Sequence, residues 1–285
     1  TDHLHFGVRL VRKSSRTSAA TAICAGDATK PRTNLTIASS NAMKGHKFQV
    51  VLVRANAEVV LSAGAINSPA ILQRSGIGPG AVLQSAGVET LAARKGVGGN
   101  LQDHLEVYFQ IACLQPITLY KHLGLLSKAR IGAEWLFFKS GLGASNQFET
   151  LGFIRSAEGI SYPDIQYHFL PVAISYDGRA PAAGHGFQLH VGPMRSKSRG
   201  HVHIRDGGAA TAPEIRFNYM SHPDDWAEFR RCIRLSREII AQAPMDPYRG
   251  AEIQPGNDAT SDEAIDAFIR DHAESADHPC GTVRM

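Results

Sequence analysis

Apolar and polar positions change period several times along this chain, and each change predicts an element. Leu105 to Ile111 alternates apolar and polar side chains, the period-two pattern of a half-buried strand. Asp164 to Ile174, Gly186 to Gly192 and His201 to Arg205 carry the same pattern and predict strands of one antiparallel sheet, with Gly200 at the turn before the last. Asn34 to Ile37 and Gln49 to Val53 predict short strands, and Glu58 to Ser62 a buried one. Elsewhere the spacing lengthens to three and four. Asp224 to Gln242 is the clearest helix, with a stripe of Trp226, Phe229, Ile233, Leu235, Ile239 and Ile240 and Ser221 as its candidate cap. Thr260-Ser261-Asp262-Glu263 is a capping box opening a second helix that turns Ile265, Phe268 and Ile269 inward. Ser68-Pro69 predicts the start of a third, because Ser caps well and Pro fits the first helical position; Gly76, Gly78 and Gly80 end it. Ala129 to Lys139 spaces Ile131, Trp135 and Phe138 for a fourth. Its polar face is thin. A helix covering a sheet is the better reading, and a helix lying on a membrane surface is the alternative. The first 30 residues are basic, irregular and assign to no element.

Composition narrows the class. The 285 residues are 43% hydrophobic and 20% charged, enough to bury a large core in one or two domains. The net charge of +4 comes from interspersed charges, 30 basic against 26 acidic, and predicts no nucleic-acid surface. Cys24, Cys113, Cys232 and Cys280 lie far apart, which fits reduced thiols in a cytosol-like compartment. His278 and Cys280 are two apart, but no further ligands cluster near them, so no metal site is expected. No run of about 20 apolar residues predicts a membrane-spanning helix, and no signal peptide is visible. The chain starts without Met and stops inside a motif, so a piece of a longer protein is expected.

Two stretches name a chemistry. One is Leu61-Ser62-Ala63-Gly64-Ala65-Ile66-Asn67-Ser68-Pro69-Ala70-Ile71-Leu72-Gln73-Arg74-Ser75-Gly76-Ile77-Gly78, and the other is His278-Pro279-Cys280-Gly281-Thr282-Val283-Arg284-Met285. In this order, about 200 residues apart, they resemble the flavin-dependent glucose–methanol–choline (GMC) oxidoreductases. The first matches an internal family motif and the second the segment that carries the family's base. Gly143 to Glu149, Gly152 to Ser156, Ile165 to Ile174, Met194 to Ser196 and Phe217 to His222 resemble the choline-oxidising members in particular. The likeness runs from about Asn34 to Met285, and the stretch from Ala38 to Val60 is several residues short of the family's usual strand pair.

The resemblance implies an α/β (α+β) fold. A partial Rossmann-like FAD-binding domain is joined to an antiparallel-sheet substrate domain with covering helices. The expected division is 1–112 as part of the FAD-binding region, 113–193 as substrate-domain sheet and helices, and 194–285 as a truncated C-terminal region. It implies oxidation of a primary alcohol, choline to betaine aldehyde, by hydride transfer to flavin N5, with electrons passed to an acceptor other than NAD. The expected location is cytoplasmic, with peripheral contact at the inner membrane. The pyrophosphate fingerprint G-x-G-x-x-G is absent, and Gly76-Ile77-Gly78-Pro79-Gly80 has the wrong spacing. The family's C-terminal tail is absent too, so this piece alone is expected to be inactive and to bind FAD weakly if at all.

By the same resemblance His278 is the base that takes the hydroxyl proton. A neutral imidazole suits that task near pH 7, and Pro279 keeps His278 out of helix. Gly281 permits close approach of backbone to a flat ring. Glu149, next to Phe148, faces the substrate's trimethylammonium group, and His168 is a further substrate-binding residue; their bland readings are a surface carboxylate and a satisfied core histidine. Ala63, Gly64 and Ala65 neighbour the FAD, and Asn100 lies by the flavin or orders its loop. Asp103 and His104 hold that loop together. Met43 stands where the family packs a residue on the adenine. Three alternatives stay open: another GMC alcohol dehydrogenase or oxidase, a flavin-containing lyase, and a fragment without catalysis.

Overall fold

The computed structural model describes residues 20–24, 34–39, 49–54, 59–174 and 184–284; Met43 lies outside them. Along the chain run β1 (Ala20–Cys24), β2 (Asn34–Ser39), β3 (Gln49–Arg54), α1 (Gly64–Arg74), β4 (Ile77–Gly78), α2 (Gly80–Ser85) and β5 (Ala92–Ala93). There follow β6 (Leu105–Cys113), α3 (Leu125–Phe138), β7 (Thr150–Ile154), β8 (Ile165–Leu170), β9 (Gly186–Pro193), β10 (His201–His203) and β11 (Glu214–Arg216). The chain ends with α4 (Pro223–Ile240), β12 (Arg249–Gln254), α5 (Asp262–His272) and β13 (Glu274–Ser275). Two compact units result. The first comprises Thr1–Gln102, Ser198–Tyr219 and Pro279–Met285, and the second Asp103–Lys197 and Met220–His278.

In the first unit β1, β2 and β3 form an antiparallel sheet. The strand expected over Glu58–Ser62 shrinks to bridges at Val60 and Leu61. Helix α1 begins at Gly64, four residues before the expected Ser68-Pro69 start. Ser68 still serves the helix entrance, because its Oγ accepts from Ala63 N at 3.0 Å. Pro69 therefore sits inside the helix, where it has no N–H to give the Ala65 carbonyl. Thr282 fills that vacancy by donating its Oγ–H to Ala65 O at 2.5 Å. Gln73 is fully buried and laces α1 to β10: Nε2 donates to Val202 O at 2.8 Å and Oε1 accepts from Ile204 N at 2.9 Å. His201–Arg205 does not join the large sheet as expected. β10 pairs with β11 instead, since a side chain at Gly200 would collide with Arg216 O (1.9 Å), so glycine admits this close hairpin.

The second unit is built on a six-stranded antiparallel sheet in the order β12-β6-β9-β8-β7, with β13 paired to β6. Alternation gives each strand two faces. Val107, Phe109, Ile165, Tyr167, Leu189 and Val191 are buried on one face, and α4 and α5 pack there. Tyr167 donates its hydroxyl to Cys232 O of α4 at 3.4 Å. The buried stripe of α4 is Phe229, Cys232, Ile233, Ser236 and Ile240; Ile239, placed inward by spacing, is exposed. The cap of α4 is His222, whose Nδ1 accepts from Asp224 N at 3.2 Å, rather than Ser221. Helix α5 stands where expected with Ile265, Phe268 and Ile269 buried, but its cap is Ser261, whose Oγ accepts from Ala264 N at 3.2 Å, in place of the Thr260–Glu263 capping box. Each fully buried Phe or Ile there contributes roughly 1.5–3 kcal/mol. Helix α3 does not cover a sheet, because none of its residues is buried and Leu126 is 88% exposed. No helix among the described residues is long and apolar enough to cross a membrane.

Candidate active site

In the second unit His278 follows β13 and lies in extended, non-helical chain, as the Pro after it requires. Two contacts fix it. Its N–H donates to Asp103 Oδ1 at 2.9 Å, and its ring Nδ1 lies 2.8 Å from Nε2 of His104. Asp103 Oδ2 accepts from Ser275 Oγ at 2.6 Å, which orients the carboxylate. His278 is exposed, while His104 is buried at 9% exposure. Burial above all, and then His278, hold the pKa of His104 below the ordinary imidazole value; the Leu105 backbone, Asp103 and Glu106 act the other way. The loop-holding role expected of Asp103 and His104 is therefore directed at His278 itself.

The face of the sheet turned from α4 is polar. Tyr108, His190 and His168 stand opposite one another on β6, β9 and β8. The Tyr108 and His190 rings stack at 4.0 Å. Gln188 Nε2 lies 2.7 Å from His190 Nε2, and an amide nitrogen only donates, so the His190 hydrogen is on Nδ1 and goes to Glu106 Oε1 at 3.0 Å. Gln188 Oε1 in turn accepts from Gln110 Nε2 at 2.9 Å and from Ile174 N at 3.0 Å. Phe148 sets its edge on His168 at 5.6 Å and on His190 at 5.2 Å. His168 has Gln166 as its side-chain partner. Its pKa is lowered chiefly by burial; Glu106 opposes this, and His190 and His278 add to it.

The structure thus sets His168 within the electrostatic reach of His278, Glu106 and His190. Glu149 continues the β7 ladder, its N–H donating to Phe169 O at 3.2 Å. It is two residues from Leu151, which stands opposite His168, so alternation turns Glu149 to the same face. Its side chain is exposed. Sequence reasoning missed His190, Glu106 and Tyr108. Their signal was available: Glu106, Tyr108 and Gln110 occupy the polar phase of one strand and Gln188 and His190 that of another.

In the first unit α1 begins at Gly64, after Ala63, and among the described residues no side chain caps it beyond the Ser68 contact to Ala63 N. Gly64 has φ +79°, and a Cβ there would meet nothing within 4 Å. Small residues at a helix N-terminus and the open space beside Gly64 fit the approach of a flat, polar cofactor. Asn100 is engaged within its own unit: Nδ2 donates to Gly281 O at 3.1 Å, and Oδ1 accepts from Arg199 Nε at 3.1 Å. Its contacts are those of a residue that orders a loop. At Gly281 (φ +86°) a side chain would collide with Asn100 O at 2.6 Å and Gln102 Nε2 at 2.7 Å. The close approach permitted there is to the protein's own loop.

Family models described as GMC oxidoreductase match residues 29–106 and 196–285, together more than half of the chain. The protein belongs to the GMC oxidoreductase family. It is 64% identical over 241 residues to the oxygen-dependent choline dehydrogenase of Brucella anthropi, a match covering 85% of this chain and 44% of that protein. The chain spans less than half the length of the curated relatives it matches. Among solved structures, pyridoxine 4-oxidase from Mesorbium loti superposes with a TM-score of 0.70 at 29% identity, over 88% of this chain and 44% of that one. The R554A formate oxidase of Aspergillus oryzae RIB40 superposes with a TM-score of 0.81 at 21% identity, over 94% of this chain and 50% of that one.

Proposed function

We propose that the whole protein oxidises choline to betaine aldehyde, with FAD as its cofactor and His278 as the base. The observation that carries the reading is the 64% identity to a choline dehydrogenase over 85% of this chain. FAD, when bound, supplies the acceptor for the two electrons that leave the alcohol carbon as hydride. The chain's own residues deal with the proton and the charge. His278 takes the hydroxyl proton: its Nδ1 is engaged by His104, which leaves Nε2 for the substrate. Removing that proton spares the forming carbonyl a positive charge. Glu149 and Phe148 hold the trimethylammonium group by Coulomb attraction and cation–π contact, and His168 lines the same face. Ala63, Gly64 and Ala65 lie against the cofactor, and Asn100 orders the loop beside it. Electrons pass to an acceptor other than NAD, in keeping with the word "oxygen-dependent" in the relatives' names. The proposed location is cytoplasmic with peripheral contact at the inner membrane, for which the exposed apolar residues of α3 are the support.

Anaerobic addition of choline to the full-length, flavin-loaded protein tests the reading. Loss of the yellow oxidised absorption is expected. An unchanged spectrum would overturn it and would favour a flavin-containing lyase.

A further inference from the structure

On the polar face of the second unit the side chain of Glu106 is only 15% exposed, and no Lys or Arg pairs with it among the described residues. Its partner is His190, whose Nδ1 lies 3.0 Å from Glu106 Oε1. Whether the two form an ion pair depends on how many protons His190 carries, and the surrounding hydrogen bonds decide that. A backbone N–H only donates, so Ile174 N, 3.0 Å away, marks Oε1 of Gln188 as the oxygen of its amide. The other end is then the nitrogen, and it donates to His190 Nε2 at 2.7 Å. His190 Nε2 therefore holds a lone pair, the single ring hydrogen goes to Glu106, and the imidazole is neutral. Glu106 is an enclosed carboxylate without a counter-charge, an arrangement that is costly until a cation arrives.

We propose that Glu106 is a specificity-determining residue whose carboxylate faces the substrate's quaternary ammonium group, as the enclosed counterpart of the exposed Glu149. The inference rests on the reading of choline as the substrate and His278 as the base. Placement supports it. His104 and Glu106 are two residues apart at the start of β6, so their Cα atoms are within about 7 Å. The ring of His278 lies against that of His104 at 2.8 Å. Base and carboxylate thus flank one short stretch of chain. An alcohol whose hydroxyl meets His278, with its charge two carbons further along, spans such an interval. Glu106 and His278 both bear on the charge of His168, which sets them around the same patch of the face.

The lining suits a quaternary ammonium group and not a metal ion. Such a cation has no N–H, so it binds by charge and by contact with aromatic rings. Oε2 of Glu106 has no hydrogen bond among the described residues. Beside it the ring of Tyr108 stacks on His190 at 4.0 Å, and Phe148 meets His190 edge-to-face at 5.2 Å. Tyr108 donates its hydroxyl to Glu274 Oε2 at 3.3 Å, and Glu274 stands opposite Glu106 on β13, which adds negative charge at the same end of the face. No group of three or more His, Cys, Asp or Glu side chains is placed to hold a metal ion among the described residues. Water screens the charge of the exposed Glu149, whereas Glu106 acts through less water and more strongly.

The test uses the full-length enzyme with its flavin. In wild type and Glu106→Gln, kcat and KM are measured for choline and for the neutral isostere 3,3-dimethylbutanol, and calorimetry follows the binding of tetramethylammonium. Glu106→Gln keeps an oxygen for the Nδ1–H of His190 and removes the charge. It should lower kcat/KM for choline by roughly 10–100-fold, chiefly through KM, and weaken tetramethylammonium by a similar factor, while 3,3-dimethylbutanol changes by less than about threefold. An equal fall for the two alcohols overturns the proposal, and so does unchanged tetramethylammonium binding in Glu106→Gln. If that variant fails to fold, a crystal structure of the wild-type enzyme with tetramethylammonium decides. Its nitrogen is expected beside Glu106 Oε2, and a nitrogen elsewhere on the face overturns the proposal. Failure of choline to bleach the wild-type flavin would instead overturn the reading of the substrate, a result separate from where the cation binds.

Discussion

On one face of the six-stranded sheet Val107, Phe109 and Val191 are sealed beneath α4 and α5; on the other, Glu106, His190, Gln188 and Gln110 carry a chain of hydrogen bonds, with Tyr108 stacked on His190. Strands β6 and β9 supply both sets by alternation. The apolar face gains free energy from every buried side chain. The polar face gains little, because each buried polar group must be matched or it costs about 1–3 kcal/mol. Gln110 Oε1 is one such group, buried and unmatched among the described residues. A chain selected for stability alone would not bury Gln110 and Gln188 at 1% exposure. The substrate side we propose lies on the polar face, and the buried apolar area lies on the other.

A pair of substitutions should break the two roles apart, and they carry the largest effects expected. Phe229→Ala empties a site of 1% exposure beneath the sheet. It should destabilise the protein by about 3–5 kcal/mol while leaving kcat per folded, flavin-loaded molecule near wild type. His278→Ala in the full-length enzyme should do the reverse, lowering turnover by roughly 10²–10⁴-fold with unfolding midpoint and flavin content little changed. Urea titration and stopped-flow reduction of the flavin measure the two quantities. Loss of stability in His278→Ala equal to that of Phe229→Ala would erase the distinction between the faces.

A smaller effect sharpens the polar face. Glu149 is exposed, so its attraction for a quaternary ammonium is screened. Glu149→Gln keeps the shape and removes the charge. We expect kcat/KM for choline to fall about fivefold, near 1 kcal/mol, with a lesser change for the neutral isostere 3,3-dimethylbutanol. An equal fall for both substrates would mean that Glu149 supports the fold and not recognition.

How much of this was legible depended on whether local or distant residues decide the outcome. The buried Ile265, Phe268 and Ile269 of α5 came through because they follow from local spacing, while its cap moved one residue, from the Thr260 of the expected box to Ser261. His222 displaced Ser221 as the cap of α4 because an imidazole nitrogen can accept the N–H that a hydroxyl was expected to take. The start of α1 was missed because Pro69 inside a helix is tolerated only through Thr282, which lies 213 residues further on and donates to the orphaned Ala65 carbonyl. His201–Arg205 has strand character, but a two-residue period does not say which sheet a strand joins. At the site, the His278 motif was readable as a resemblance. Its partnership with His104 was not, since the two are 174 residues apart.

The smallest expected effect is on pH dependence. His104 and His168 both have pKa values lowered in the folded state, in each case chiefly by burial. An unfolded histidine titrates near 6.5. Between that value and the lower folded value, the unfolded chain binds more protons than the folded one. Linkage then makes stability fall as pH drops through this window, and level off once both states are protonated. The contribution is present in full above about pH 6.5 and is lost below it. Both residues belong to the polar face and its margin, so the apolar face should not share the effect. Urea midpoints followed from neutral pH downward should decline in wild type. The decline should be shallower in His104→Gln, which cannot take up a proton there, and unaltered in Phe229→Ala apart from a uniform offset. An identical slope in wild type and His104→Gln would show that burial does not lower the pKa of His104.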